Sequence, residues 1–351
     1  SIGGGGGILG YHNGSGFSFP TEITNTQVGD GNSVNITTNG TITTSGDGAH
    51  GILAQSIGGG GGLFAQDGTA YAGSVGGGTS RGGGITINQS GTLAATGADA
   101  SGIFAQSTRG SDGPASMNID IAGAVSGGSG TGYGVWMDGG SFNTLTIDAT
   151  GSLSALSGNA IYVTGGSSTT VANAGTLFGN ALISGGTLTN TGIYDVGNGA
   201  TVDGFYRQSD TGTLRFSFTS DPSAKLIVAG SAVLQGSADP VVGDWLLPVG
   251  NVLIQGEPVE LDGPVTTPSG PLYSWTIGQP GPTSVTITPV ADFTGAASGL
   301  DGNEQQAAGY LQDEWTAQNA AMASYFADLY NTVATQGQYQ TVLDDMSPEA
   351  T

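Results

Sequence analysis

A degenerate repeat constrains the fold of this chain more than any other sequence feature. The same motif occurs as Gly-Ile-Leu-Ala-Gln-Ser at residues 51–56 and as Gly-Ile-Phe-Ala-Gln-Ser at residues 102–107. Shorter versions of it follow at residues 134–136, 160–162 and 181–183. A chain that repeats one short unit buries each copy mainly against its neighbours, as solenoids do. The repeat therefore predicts a solenoid with a coil for each copy.

A second marker, a glycine followed by a short β-type segment, precedes each copy of the motif. Apolar and polar residues alternate just ahead of each marker, which is the period-two pattern of a half-buried strand. We expect two short strands separated by a turn in each coil, with the glycine runs 3–7 and 58–62 as loops. Such stacked short strands indicate an all-β, right-handed parallel β-helix. The markers start at Gly40, Gly91, Gly123, Gly151 and Gly175 and are 51, 32, 28 and 24 residues apart.

The composition changes near residue 200. Of the 13 prolines, 11 follow that point, where short apolar strands alternate with turns and residues 278–282 are predicted to be a hairpin loop. A solenoid needs an end that covers its last coil. We therefore divide the chain into glycine-rich β-helix repeats (1–200), a β cap (201–293) and a C-terminal α-helical segment (294–351).

The last segment has a helical pattern. Asp301 followed by Glu304 fits a capping box. The spacing of the apolar residues predicts one helix of about seven to nine turns, packed on the β cap or on another chain. Those apolar residues are Leu311, Trp315, Met322, Phe326, Leu329 and Val333.

Charge and cysteine content exclude several functions. The formal net charge is −22 with five basic residues, so a nucleic-acid partner is excluded and an anionic membrane surface would repel the chain. With no cysteine, the chain has no disulfide and no cysteine-based metal site. Its apolar runs are also shorter than the roughly 18 residues of a membrane-spanning helix.

No catalytic, cofactor or metal site is predicted. β-Helical lyases and hydrolases need carboxylates that converge in a groove, whereas the coil aspartates, Asp47, Asp99, Asp112, Asp120, Asp138 and Asp148, are mostly single and are assigned to turns. His12 and His50 are the two histidines, and we assign His50 to a turn. Residues 78–82 match the nucleophile-elbow pattern but lack its strand and helix.

One set of residues is a candidate binding surface. Leu53, Phe104, Trp136, Tyr162 and Ile183 occupy the same slot in successive coils and should form a column with a spacing of about 4.8 Å. Pointing inward, they would be a core stack, which the sequence favours. Pointing outward, Phe104, Trp136 and Tyr162 would offer a platform to sugar rings or to another hydrophobic surface.

Three further segments carry a family resemblance. They are the Gly-Ile-Leu-Ala-Gln-Ser-Ile-Gly-Gly-Gly-Gly-Gly run at 51–62, the residues 300–308 and the residues 343–350. Together with the proline-richer β segment, they resemble the C-terminal part of a type V autotransporter passenger. The resemblance implies an extracellular β-helix secreted by a Gram-negative bacterium, an autochaperone-like region at 201–293, and the family's own outer-membrane β-barrel as partner during secretion.

Three functions are compatible with these features. The first is a structural or adhesive cell-surface protein that attaches to surface glycan or protein or to itself, with the glycine-run loops mediating self-association. The second is a passive stalk for an upstream domain, because the chain starts inside a repeat. The third is a glycan-active enzyme. The ligand and the oligomeric state stay open.

Overall fold

The computed structural model describes residues 8–10, 30–58, 62–66, 69–73, 81–108, 115–166, 168–221, 224–295 and 299–346. The described chain is mostly β, with the long series of parallel strands of a parallel β-helix and a C-terminal helical segment. Two compact units can be distinguished. The first comprises Ser1–Asp195, Thr201–Gly212 and Val228–Gly230, and the second Val196–Ala200, Thr213–Ile227 and Ser231–Thr351. The three-part division made from the sequence stays a prediction.

The strands are short, mostly of three to six residues, as expected for the sides of a small coil. Their bounds are β1 Ile8–Gly10, β2 Val34–Thr38, β3 Thr41–Thr44, β4 Ile52–Ile57, β5 Gly62–Gln66, β6 Thr69–Gly73, β7 Ile85–Gln89, β8 Thr92–Ala95, β9 Ile103–Thr108, β10 Met117–Ile121, β11 Ala124–Gly127, β12 Val135–Gly139, β13 Asn143–Ile147, β14 Ser152–Ala155, β15 Asn159–Thr164, β16 Thr169–Asn173, β17 Thr176–Phe178, β18 Asn180–Asn190, β19 Ile193–Asp195, β20 Ala200–Gln208, β21 Thr213–Phe218, β22 Leu226–Val228, β23 Ala232–Val242, β24 Asn251–Gln255, β25 Val259–Thr266, β26 Tyr273–Gly281 and β27 Ser284–Ala291.

Each coil of the first unit has three strands. The coil β7–β8–β9 pairs in parallel with β10–β11–β12, and these in turn pair with β13–β14–β15. The expectation of two strands per coil is therefore wrong, because the alternating segment ahead of each marker forms a ladder of its own. A separate small sheet is made by β1, β5 and β6.

The marker glycines confirm the predicted register. The residues that follow them pair from coil to coil, as Thr41 with Thr92 and Ala124 with both Thr92 and Ser152. A Cβ atom on Gly91 would overlap the carbonyl oxygen of Gly40, and one on Gly123 would overlap that of Gly91. The backbones of successive coils approach too closely here for any side chain, which explains why the slot holds glycine.

The core of the first unit consists of aliphatic columns. Alternate side chains of each strand point into the coil, and those of the central coils are fully buried. They include Ile85, Ile87, Met117, Ile119, Leu145, Ile147 and Val171 of one ladder and Leu93, Val125, Leu153 and Leu177 of the next.

The strands of the second unit pair first in parallel and then, nearest the helices in sequence, antiparallel. β21 pairs with β23, and β23 with β25, in parallel, whereas β27 pairs antiparallel with both β24 and β26. The predicted hairpin between β26 and β27 is confirmed, but β26 continues to Gly281. The loop predicted at 278–282 is therefore mostly strand, and the turn lies at residues 282–283.

The C-terminal segment contains three α-helices, not one. They are α1 Gly302–Thr316, α2 Ala323–Thr332 and α3 Gln336–Met346, with a 3₁₀ turn at Ala320–Met322. The predicted capping box is confirmed, because the Asp301 carboxylate accepts from the Glu304 amide and the Glu304 carboxylate accepts from the Asp301 amide. The chain leaves the helix at Gln318, whose φ is 54°, and at the extended Val333. Among the described helices, none has the length and apolar character required to cross a membrane.

Aromatic residues join these helices to the strands of the second unit. Phe293 is fully buried, and its ring centroid lies 5.6 Å from that of Phe326 and 6.1 Å from that of Trp315. The Tyr273 hydroxyl donates to the Phe326 carbonyl at 3.0 Å, and the Tyr339 hydroxyl donates to the Phe293 carbonyl at 3.1 Å. The predicted packing of the helical segment against β structure is therefore present within this unit.

Candidate functional site

The predicted column of side chains exists. Parallel pairing of β4, β9, β12 and β15 places Leu53 beside Phe104, Phe104 beside Trp136 and Trp136 beside Tyr162. The fifth member is Leu182 rather than the expected Ile183. The register shifts between residues 159 and 161, so that one extra residue of β15 moves the next coil by one position. We call Phe104, Trp136 and Tyr162 the aromatic row.

The aromatic row lies on the outside of the coil, and the inward placement favoured by the sequence is wrong. The side chains that flank Trp136 along β12, Val135 and Met137, are completely buried. Because successive side chains of a strand point to opposite faces, Trp136 points outward. In the next strand, Ile161 fills the interior while Tyr162 is half-buried outside.

The rings of this face pack against one another. Phe104 and Trp136 have ring centroids 4.3 Å apart with 31° between their planes, and Tyr133 stacks on Tyr162 at 4.5 Å and 19°. Phe104 is therefore only 1% exposed although it lies outside the sheet. Trp136 and Tyr162 are 6.0 Å apart and tilted by 42°, and both stay half-buried. The face is thus a packed row with exposed aromatic area at one end, not the flat platform of the outward hypothesis.

A row of polar side chains runs beside the aromatic row, two residues further along each strand. Gln55 Nε2 donates to Gln106 Oε1 at 2.9 Å, and Gln106 Nε2 donates to Asp138 Oδ2 at 2.8 Å. From the other side Thr164 Oγ1 donates to Asp138 Oδ1 at 2.9 Å, and Trp136 Nε1 donates to Thr164 Oγ1 at 3.3 Å. We call Gln55, Gln106, Asp138 and Thr164 the polar relay. All of its donors point toward Asp138, and such chains of hydrogen bonds strengthen one another.

Asp138 gives this face its charge. It lies within β12, so its assignment to a turn is wrong, and it is the one charged residue in the sequences of β4, β9, β12 and β15. Within the described part of the chain it has no ion-pair partner. Its carboxylate is half-buried and accepts two hydrogen bonds, which leaves lone pairs for a ligand.

His50 closes one end of the aromatic row. Its ring centroid lies 5.2 Å from that of Phe104, and its Nδ1 accepts a hydrogen bond from the Ser101 amide at 2.9 Å. Its Nε2 is buried without a hydrogen-bond partner. Only the neutral imidazole, with its proton on Nε2, can accept at Nδ1. Burial lowers the pKa of His50, because desolvation disfavours the charged form of the imidazole.

We expect His50 to make the protein less stable in mild acid. Because its pKa is lower in the folded state, the unfolded chain binds the proton first as the pH falls through about 6.5. The free energy of unfolding should therefore decrease from about pH 7 toward pH 5 and level off below the folded-state pKa. Urea denaturation across this range should show a smaller decrease for His50→Asn, which keeps an acceptor near Nδ1. Parallel curves for the two proteins would contradict a neutral, buried His50.

The other residues singled out in the sequence do not gather at this site. Asp47 and Asp99 are turn residues, as expected, and their carboxylates accept from the amides of Ala98 and Thr131. Asp120 lies within β10, so its assignment to a turn is wrong. His12, Asp112, residues 78–80, both glycine runs apart from Gly58 and Gly62, and the tail 347–350 lie outside the described residues. Among the residues that the structure describes, no group of three or more acidic or histidine side chains is placed to hold a metal ion.

The chain was compared with protein-family models, with curated proteins and with solved structures. None of them matches. A function must therefore be inferred from the aromatic row and the polar relay, since the β-helix by itself is compatible with many functions. Sequence reasoning missed the relay and Tyr133. The signal was present, because Leu53 and Gln55, Phe104 and Gln106, Trp136 and Asp138, and Tyr162 and Thr164 are each two residues apart in strands of period two.

Proposed function

We propose that this protein is an extracellular β-helix that attaches a bacterial cell to surface glycan, or to copies of itself, through the outer face of β4, β9, β12 and β15. The observation that carries the proposal is the outward aromatic row bordered by the polar relay. Half-buried Trp and Tyr rings beside amide and carboxylate groups are suited to ligands that present both apolar C–H surface and hydroxyl groups.

The repeated architecture supports attachment over catalysis. Successive coils place the same kinds of side chain at the same slot, aromatic or leucine in one row and polar in the next. Phe104 and Gln106 of β9 are buried, so the accessible part of the two rows lies on β4, β12 and β15. A repeated row extends contacts along a polymer, as the concave faces of other solenoids do. The resemblance to autotransporter passengers supports the extracellular location and secretion through the outer membrane, and both belong to this proposal.

The proposal is tested with beads coated with the purified protein. Trp136→Ser with Tyr162→Ser removes the two half-buried rings of the aromatic row while leaving the buried Val135 and Ile161 in place. We expect the coated beads to lose most of their adhesion to polysaccharide-coated surfaces and their aggregation with one another. Circular dichroism before the assay confirms that the variant is folded.

Phe178→Ser is the matched control. Phe178 is 43% exposed on β17, away from the aromatic row, so its loss removes a comparable ring from a different strand ladder. It should leave adhesion and aggregation unchanged. If the double variant attaches as well as the native protein, the face is not a binding surface and the chain is better described as a passive stalk.

A further inference from the structure

We propose that the aromatic row and Asp138 together select glycans that carry free amino groups, such as hexosamine polymers without their acetyl groups. This inference rests on the proposed function and names the ligand class of the same face. A protonated amine is bound by a negatively charged group, and it is also attracted to the face of an aromatic ring. Both features are present around Trp136.

The carboxylate is positioned for this task. The donors of Gln106 and Thr164 hold Asp138 from two sides, at 2.8 and 2.9 Å, so the carboxylate is oriented before any ligand arrives. These two donors are neutral, and no cationic side chain of the described residues pairs with the carboxylate. A fixed carboxylate without a cationic partner attracts an ammonium group more strongly than a mobile one, because little side-chain entropy is lost on binding.

The aromatic rings add attraction for the same kind of ligand. Trp136 precedes Asp138 by two residues and therefore shares its face of β12. Tyr162 lies beside Trp136 in the next coil, and both residues are half-buried, so part of each stays accessible. An ammonium group over a Trp or Tyr ring gains about 0.5–1 kcal/mol at exposed sites. Burial raises the pKa of Tyr133, so its hydroxyl stays protonated and neutral.

The net charge of the whole chain also favours ligands that carry amino groups. With a formal net charge of −22 the protein repels polymers of uronic or sialic acids and attracts polymers with amino groups. A glycan is favoured over a lysine-rich protein because the half-buried amide of Gln55 and the half-buried hydroxyl of Thr164 lie in the same row as the Asp138 carboxylate, whereas Gln106 is buried and only positions it. These groups suit a ligand with hydroxyl groups along its whole length.

The test measures binding of the full chain to three immobilised oligosaccharides by biolayer interferometry. These are de-N-acetylated glucosamine oligomers, the same oligomers with N-acetyl groups, and oligogalacturonate. We expect the affinity to follow that order, with binding to the amino form weakened by salt. Asp138→Asn should weaken binding to the amino form about fivefold, which corresponds to roughly 1 kcal/mol, and should leave binding to the N-acetyl form unchanged.

Asp120→Asn controls for the general loss of one negative charge. Asp120 is a half-buried residue of β10, a strand of a different ladder, and its change should leave all three affinities as they are. Polylysine, immobilised in the same way, tests the alternative of a lysine-rich protein. Equal affinity for the amino and N-acetyl forms, or tighter binding to polylysine than to the amino oligomer, would overturn the inference.

The failures of the two proposals can be distinguished. If Trp136→Ser abolishes binding to every oligomer while Asp138→Asn changes nothing, the face binds glycan but the amine selectivity is wrong. If the protein binds no oligomer and the double variant of the aromatic row still drives bead aggregation, both proposals fail.

Discussion

Replacing Gly123 by alanine is expected to destabilise the protein by about 3 kcal/mol or more. A Cβ atom at this position would lie closer than 3.0 Å to the carbonyl oxygen of Gly91 and to backbone atoms of Ser90. The obstacle is the backbone of the neighbouring coil rather than the end of a flexible side chain, so the two coils would have to separate. The loss should appear in urea denaturation followed by circular dichroism, and in earlier proteolysis of the coils.

Gly40→Ala provides the matched control, because Gly40 occupies the same marker slot two coils earlier. A Cβ atom there has nothing within 4 Å, and neither glycine has a left-handed φ. The control should therefore change the free energy of unfolding by no more than about 0.5 kcal/mol. If both variants unfold at the same urea concentration, the close stacking of the marker glycines does not contribute to stability.

The spacing of these glycines also shows how far the sequence determines the fold. The same residue type recurs at equivalent positions because the backbones of stacked coils impose the same steric limit there. These positions can be recognised in the sequence. The third strand of each coil also had a signal in the sequence, because the marker glycine separates the alternating segment ahead of it from the strand that follows. The shift that places Leu182 rather than Ile183 beside Tyr162 depends on one extra residue in β15, and the sequence carries no marker for it.

The direction of the aromatic row could have been predicted from its polar neighbours. Both Val135 and Trp136 are apolar, so hydrophobicity alone does not decide which of them points inward. Asp138, however, must share a face with Trp136 in a strand of period two. A carboxylate would not be placed in the coil interior without a partner, which puts Trp136 outside. The ring-to-ring distances that bury Phe104 depend on side-chain packing across three coils and could not be predicted.

In the helical segment, the spacing of apolar residues did not reveal where one helix ends and the next begins. The apolar spacing from Leu311 to Val333 continues across a break, because three short helices can present their apolar faces to one core just as a single helix does. Two polar residues mark where the later helical elements begin. Asn319 accepts from the Ala321 amide at the start of the 3₁₀ turn, and Gln338 accepts from the Thr335 amide as in a capping box. Side-chain caps were therefore better indicators of helix boundaries than hydrophobic periodicity.

Trp315→Ala should destabilise the second unit by about 3–5 kcal/mol, the usual cost of deleting a large buried aromatic side chain. Trp315 is 4% exposed, and its ring centroid lies 5.1 Å from that of Phe326 and 5.6 Å from that of Tyr273. Alanine favours helix, so a loss would come from packing and not from helix propensity. Near-ultraviolet circular dichroism during urea denaturation reports the loss of this aromatic packing directly.

Tyr310→Ala tests the same helix on its solvent side. Tyr310 is 51% exposed and belongs to α1 like Trp315, so its removal should change the free energy of unfolding by at most about 0.5 kcal/mol. A large loss for Trp315→Ala beside a negligible one for Tyr310→Ala means that α1 is held to the β strands of its unit by its buried face. Equal, small losses would mean that α1 is stable without this contact, and the aromatic cluster around Phe293 would then not account for the packing of the helices.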